Sequence, residues 1–374
     1  MLNKSLTIIV VLLIVGICVP SLTSKLLSIG NIITVDNEGD GDYASIKEAV
    51  NNSNPGDIIK VYSGTYLEQK INISIENITL DGVTYELGIG NDSGKPIINN
   101  TIFQAEIFGI NADGVTISSF IMNNNYSSTK MVTIGQYKDC VISNCDIIHR
   151  SYGNCISSHA INNCLIENNT IIAYENNTDG ISVFESYTRN TSIINNTISA
   201  ATGIHIKGSQ HIIQGNNINN CTFSGITKWY NANNITIKNN VITNCCFGIL
   251  SSNSESVNNV ICYNEFRENF VGISFGATEK NQVDIFCNNF LSNLKHIRSG
   301  IKWSYGRTLR HETVHENYYD NWKGFGSKLI FGMDIIPIFG IFLPGGHIGF
   351  ILYFPILLFT FDHNPARVPY DIGG

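Results

Sequence analysis

Between residues 130 and 320, apolar and polar positions follow two periods at once. Within short segments they alternate, as in CVISNCDI (140–147), CLIENNTI (164–171), TSIINNTI (191–198), HIIQGNNI (211–218), ITIKNNVI (235–242), NVICYNEF (259–266) and VDIFCNNF (283–290). A period of two marks strands with one buried face. The segments themselves then recur. The column Cys145, Asn169, Asn196, Asn216, Asn240, Asn264, Asn288 has gaps of 24, 27, 20, 24, 24 and 24 residues, and Asn317 continues it after a longer insertion. A second column recurs in step: CIS (155–157), GIS (180–182), GIH (203–205), GIT (225–227), GIL (248–250) and GIS (272–274). Self-similarity at a fixed period signals a stacked repeat, and repeats this short and rich in Asn leave no room for helices. The pattern predicts an all-β parallel solenoid of strand–turn–strand rungs about 4.8 Å apart. Inward Ile, Val and Phe would form one long core. The Asn column would bond the backbone of the turns above and below.

A solenoid leaves open sheet ends that need covers. In DYASIKEAVNNSNPGD (42–57), Ser45 and Glu48 stand at capping-box spacing, with Ile46, Ala49 and Val50 on one side. This predicts a short helix closing the first rung. At the other end, Leu329–Phe361 is strongly apolar, and one reading is a membrane span. Asp334, His347, Pro337, Pro344, Pro355 and Gly345-Gly346 interrupt it, which favours extended strands packing over the last rungs. The expected organisation is one solenoid over 32–325 with an apolar C-terminal cap over 326–374. Before it, MLNKSLTIIVVLLIVGICVPSLTS (1–24) has a charged start at Lys4, an apolar Leu6–Val19 stretch and turn-forming residues after it. This is the pattern of a secretory signal peptide, or of an uncleaved anchor that would hold the N-terminus in a membrane.

Composition sharpens this picture. The net charge is −7, and only 14% of the 374 residues are charged. Sparse basic residues argue against nucleic acid as a partner. Export implies an extracellular or cell-surface location, where disulfides persist. Nine of the 10 cysteines follow Cys18, an odd number. Cys140 and Cys164 share a column in adjacent rungs, as do Cys221 and Cys245. One rung spacing lies within disulfide range, so each pair is either a bridge or a stack of thiols packing like small apolar groups. Sequons at Asn72, Asn77, Asn195 and Asn234 suit a glycosylated surface protein, although any chain rich in Asn and Thr contains some. A monomer is expected.

HETVH (311–315) has the letters of a zinc-protease helix. Val314 and Asn317 stand in register with the rung columns, however, which predicts a strand. Residues four apart on a strand are separated by about 13 Å and cannot share an ion. No metal site is assigned there.

The opening TVDNEGDGDYASIKEAVNNSNPGDIIKVYSGTYLEQKINI (34–73), with Asp42-Tyr43, Pro55-Gly56-Asp57 and Gly64-Thr65-Tyr66, resembles the NosD-like, pectin-lyase-like β-helix proteins. The closing NYYDNW (317–322) and FDHNPARVPYDI (361–372) resemble the ends of exported members. The resemblance implies a right-handed parallel β-helix. It does not specify an activity, because the group includes lyases, hydrolases, epimerases and surface proteins, and one fold hosts many functions. Asn177-Thr178-Asp179-Gly180 is similar to a polygalacturonase motif. The following coil, AATGIHIKGS (200–209), lacks the second carboxylate that inverting hydrolysis needs. The calcium of a pectate-lyase-like site would need stacked carboxylates, and copper, which NosD would imply, a set of His and Met. No column supplies either, so no cofactor is assigned.

The most informative surface follows the second column. Positions two and four after the Gly point outward and give Ser182 and Phe184, His205 and Lys207, Thr227 and Trp229, with Tyr230 adjacent. Aromatic faces beside hydrogen-bonding groups suit sugar rings. A polysaccharide or cell-surface glycan is the expected partner. An enzyme of the lyase or hydrolase type is the alternative, with Asp179, His205 and Lys207 as its candidate acid–base residues. A NosD-like accessory role in metalloenzyme maturation is a third reading, which the resemblance alone implies.

Overall fold

The computed structural model describes residues 30–102, 105–124, 130–229, 231–251, 256–275, 282–299, 311–321, 328–343, 347–362 and 364–372. The segment 1–24 and Tyr230 lie outside the described residues.

Three parallel sheets of 12, 11 and 10 strands run along the described chain. Apart from the first and last described coils, each coil gives one strand to each sheet. In one coil, Leu165–Glu167 joins the first sheet, Thr170–Ala173 the second and Asp179–Val183 the third. The register follows the sequence columns. Ile142, Ile166, Ile193, Ile213, Ile237, Ile261, Ile285 and Val314 align in the first sheet. Ile147, Ile171, Ile198, Ile218 and Ile242 align in the second, followed by Phe266, Phe290 and Tyr319. Ile156, Ile181, Ile204, Ile226, Ile249, Ile273 and Ile297 align in the third. All of these are buried, so the core is a set of isoleucine stacks. Near the C-terminal end three rings replace them, stacked at 5.1 and 5.2 Å.

The recurrent Asn-Asn pairs have two separate tasks. The first residue makes the bend between the first and second sheets in the left-handed region, at Asn144, Asn168, Asn195, Gly215 and Asn239. Gly and Asn tolerate that conformation best. The second residue points inward and builds a ladder. Asn240 Nδ2 donates to Ile213 O (2.9 Å) and Lys238 O (3.0 Å), while its Oδ1 accepts from Asn216 N and Nδ2 (both 2.9 Å). The same bonding runs through Asn169, Asn196, Asn216, Asn240, Asn264, Asn288 and Asn317. The inward amide thus satisfies polar groups of its own bend and of the neighbouring coils. A second, shorter ladder, unnoticed in the sequence, joins Cys245 N to Asn269 and Asn269 to Asn293.

Both ends are closed. The helix Ile46–Asn51 is capped by Ser45, whose side chain accepts from Glu48 N, and it buries Ile46, Ala49 and Val50. Glu68 adds a second cap across the chain, accepting from Ile46 N (2.8 Å) and Lys47 N (2.9 Å). A carboxylate there also complements the helix dipole. At the far end Asp362 takes the place of the next ladder Asn. Its Oδ2 accepts from Asn317 N, Asn317 Nδ2 and Tyr319 Oη, each at 3.1 Å. Tyr370 then exchanges backbone bonds with the Asn289 side chain at 2.8 Å.

The C-terminal segment has two parts. Lys328–Leu343 and His347–Asp362 pair antiparallel in a two-stranded sheet of their own and add no strand to the solenoid sheets. Asp362, the last residue of that pair, and the tail after it bond to the last rung. Among the described residues no helix is long and apolar enough to cross a membrane. HETVH forms the strand His311–His315, paired in parallel with Gln282–Phe286. His315 stacks on Phe286 at 5.2 Å and lies 3.2 Å from Asp284.

Cys140, Cys164, Cys221 and Cys245 are free thiols, buried and stacked in their columns. His211 belongs to the first of these columns. Its Nδ1 accepts from Thr191 N (3.1 Å) and its Nε2 faces Lys207 O (3.1 Å), an arrangement that needs the neutral ring. Burial lowers its pKa from 6.5 to about 4. The unfolded chain therefore binds the proton first as pH falls. The stability that neutral His211 contributes above pH 6.5 is lost on acidification to pH 4, by about 3 kcal/mol at most. Urea unfolding midpoints at pH 7 and 4.5 should show this drop, and His211→Gln should flatten it. An equal pH slope in the variant would remove His211 as its source.

Candidate functional site

The strands Asn154–Ser158, Asp179–Val183, Thr202–Ile206 and Ser224–Lys228 lie side by side in the third sheet. Their isoleucines point inward, so the alternate positions face outward. Ser182, His205 and Thr227 share one outward column. Phe184, Lys207 and Trp229 follow just past the strand ends. They are held in register by Phe184 N→Ser158 O (3.4 Å), Lys207 N→Val183 O (2.9 Å) and Trp229 N→Ile206 O (3.0 Å).

These side chains converge around His205. Its ring centroid is 5.0 Å from Trp229 and 5.8 Å from Phe184, and those two rings are 6.0 Å apart. His205 Nδ1 lies 3.1 Å from Asp179 Oδ2, and both side chains are mostly covered, at 12% and 19% exposure. His205 Nε2 is buried with no hydrogen-bond partner. Phe184 remains 40% exposed. The Lys207 ammonium stands 5.7 Å from the Phe184 ring centroid, in cation–π range.

Of the candidate catalytic residues, the structure joins Asp179 and His205, which are 26 positions apart, and directs Lys207 to Phe184. Ser182 and Thr227 require a correction. They were expected as open hydrogen-bonding groups but are buried, at 1% and 3% exposure. They point outward, yet they flank the taller His205 beside the two large rings, and short side chains between tall ones lose their access to water. Thr227 Oγ1 is bonded to Ser224 Oγ, and Ser182 Oγ has no hydrogen-bond partner.

One part of the surface escaped the sequence reading. His159 occupies the same place one rung earlier, four residues after Cys155 as Phe184 is four after Gly180. Extending the column rule by one coil would have found it. Lys130 Nζ lies 2.9 Å from His159 Nε2, and Glu185 Oε1 lies 3.9 Å from His159 Nδ1. From His159 to Trp229 the strip covers three rung steps, about 14 Å. Beneath it, Lys228 points into the core beside Ile206. It is buried, with its Nζ 2.6 Å from Ser256 Oγ, and burial lowers its pKa to about 7.

A broad aromatic surface with a polar edge offers stacking and charge-assisted hydrogen bonding to a ligand. Proton transfer is less well served. One nitrogen of His205 is committed to Asp179 and the other is enclosed.

Comparison with known proteins extends the fold reading. The sequence profile described as the right handed beta helix region matches residues 131–290 and 179–333, which together span more than half of the chain. No curated protein matches. Among solved structures, the A-module of the Azotobacter vinelandii mannuronan C-5 epimerase AlgE6 is similar, with a TM-score of 0.50 and 13% identity, covering 73% of this chain and 87% of that one. The GH136 lacto-N-biosidase from Eubacterium ramulus has a TM-score of 0.54 and 10% identity, over 77% of this chain and 63% of that one, so this chain spans under two thirds of the biosidase. The hyperthermoactive exopolygalacturonase from Thermotoga maritima has a TM-score of 0.51 and 11% identity, over 83% and 89%. At such identities the likeness is one of fold. Together with the stacked parallel coils, the profile match shows that the chain belongs to the right-handed β-helix family.

Proposed function

We propose that this protein is exported to the cell surface and binds carbohydrate along the outward face of its third sheet. The observation that carries the proposal is the convergence of Phe184, His205 and Trp229, with Lys207 at its edge. Exposed aromatic faces stack on the CH-rich faces of sugar rings, and neighbouring polar groups bond to the hydroxyls. Lys207, and the His159 group one rung earlier, favour glycans that carry acidic groups. Solved proteins of this fold named for mannuronan epimerase, lacto-N-biosidase and exopolygalacturonase activity are in keeping with a glycan partner.

Catalysis is the second reading, and the Asp179–His205 pair favours it. A carboxylate that orients an imidazole is a common acid–base device. Binding is preferred because His205 Nε2 is enclosed rather than offered to a ligand. A single assay separates the two. The purified chain is incubated with a panel of neutral and acidic polysaccharides, and both retention and new reducing or unsaturated ends are measured. Retention without new ends is expected. Chain cleavage that disappears in Asp179→Asn would establish the enzyme instead, and neither retention nor cleavage across the panel would overturn both readings.

A further inference from the structure

At the opposite end of the solenoid from the apolar hairpin, two loops meet through their acidic side chains. One follows the first strand, Ile32–Val35, and carries Asp36 and Glu38. The other carries Glu86. Each residue places one carboxylate oxygen within 4.8 Å of the other two. None of the three has an ion-pair partner among the described residues.

Acidic groups often gather at a surface without consequence, but Asp36 is not at the surface. It is fully buried, and its Oδ1 has no hydrogen-bond donor. The Oδ1 of the adjacent Asn37 is also enclosed and without a donor. A buried carboxylate oxygen that receives neither a proton donor nor a cation is costly. The remaining oxygens are already oriented. Asp36 Oδ2 accepts from Asp40 N (3.0 Å), Glu86 Oε1 from Leu87 N (3.1 Å), Glu86 Oε2 from Asp92 N (3.2 Å) and Glu38 Oε1 from Asn37 Nδ2 (2.9 Å). The loops are also tied by Ile89 N→Asp40 Oδ2 at 3.0 Å. The cluster is thus a pre-arranged group of negative charges without a counter-charge.

We propose that Asp36, Glu38 and Glu86 bind a divalent cation, with calcium preferred, which clasps the two loops over the first coil. The donor set is all oxygen, which selects a hard cation over zinc or copper. The three carboxylates come from two loops, and exposed Glu38 leaves room for water to complete a coordination number of six to eight. Calcium accepts such an irregular shell, whereas magnesium demands a near-ideal octahedron.

The test uses the full chain, freed of metal with a chelator and returned to buffer at pH 7. Titration calorimetry should show one saturable calcium site with a Kd of about 10⁻⁴–10⁻³ M, the range of extracellular modules. Magnesium should bind at least tenfold more weakly, and the melting temperature should rise with calcium. Asp36→Asn and Glu86→Gln should each weaken binding at least tenfold. Because those two positions help hold the loops, exposed Glu38→Gln serves as the variant that keeps its fold, and it should weaken binding severalfold. Two results would overturn the site. One is the absence of both calcium heat and melting shift in the unaltered chain. The other is calcium binding that is unchanged in all folded variants.

Discussion

Replacing Asn240 with alanine is expected to destabilise the protein by about 4 kcal/mol, a loss at the upper end for a single substitution. The side chain is fully buried and serves three coils at once. Without it, Ile213 O and Lys238 O lose this donor and Asn216 N loses its acceptor, while Asn216 Nδ2 keeps Ile193 O and Gln214 O. Each stranded group costs about 1–3 kcal/mol, less whatever water or relaxation restores. The neighbouring Asn239 is the control. It makes the left-handed bend at φ 55, which glycine adopts freely, so Asn239→Gly should cost well under about 1 kcal/mol. Urea unfolding followed by circular dichroism measures both variants. In a stacked architecture each coil is stabilised by its neighbours, so Asn240→Ala should also broaden or split the transition, with the coils on either side parting first. If the two variants cost the same, the inward amide would not be what holds the coils together.

Trp229→Ala is expected to weaken glycan retention at least tenfold, a loss of about 1.4 kcal/mol or more. The substitution removes one ring of the cluster and leaves Phe184 and His205 without the surface they lean on. Trp229 lies past the strand end and is only partly buried, so the isoleucine core should be unaffected. Phe184→Ala should act in the same direction. Lys207→Ala should reduce retention of acidic glycans more than of neutral ones, because it removes the cation at the edge of the cluster. Tyr174→Ala is the matched control. That ring is 62% exposed and lies under Arg150, but it follows a strand of the second sheet, away from the third-sheet strip, so its loss should leave retention unchanged. Retention by Trp229→Ala at the level of the unaltered protein would remove the third-sheet strip as the binding face.

The sequence by itself determined the architecture of this protein, the inward and outward faces of its strands, and the column in which Phe184, Lys207 and Trp229 line up. In a stack of coils the contacts that matter join residues about 24 positions apart, so the spatial neighbours of any residue can be read by adding the period. The two-residue alternation then fixes which side chains meet. The same reasoning explains why HETVH is a strand: the register that places Val314 under Ile285 leaves no helix there.

Only the tertiary structure decided what the period does not encode. The period placed Asp179 and His205 in adjacent coils, but the bond between them depends on which way two side chains turn across the sheet. Parity sent Ser182 and Thr227 outward, yet the height of neighbouring side chains buried them. Asp362 reaches the end of the Asn ladder from 45 residues away, through a segment that follows no repeat. Asp36 and Glu86 meet because two non-repeating loops fold toward each other over the first coil. Translational repetition fixes register and facing, whereas side-chain height, rotamer and loop path are set by the local packing of the folded chain.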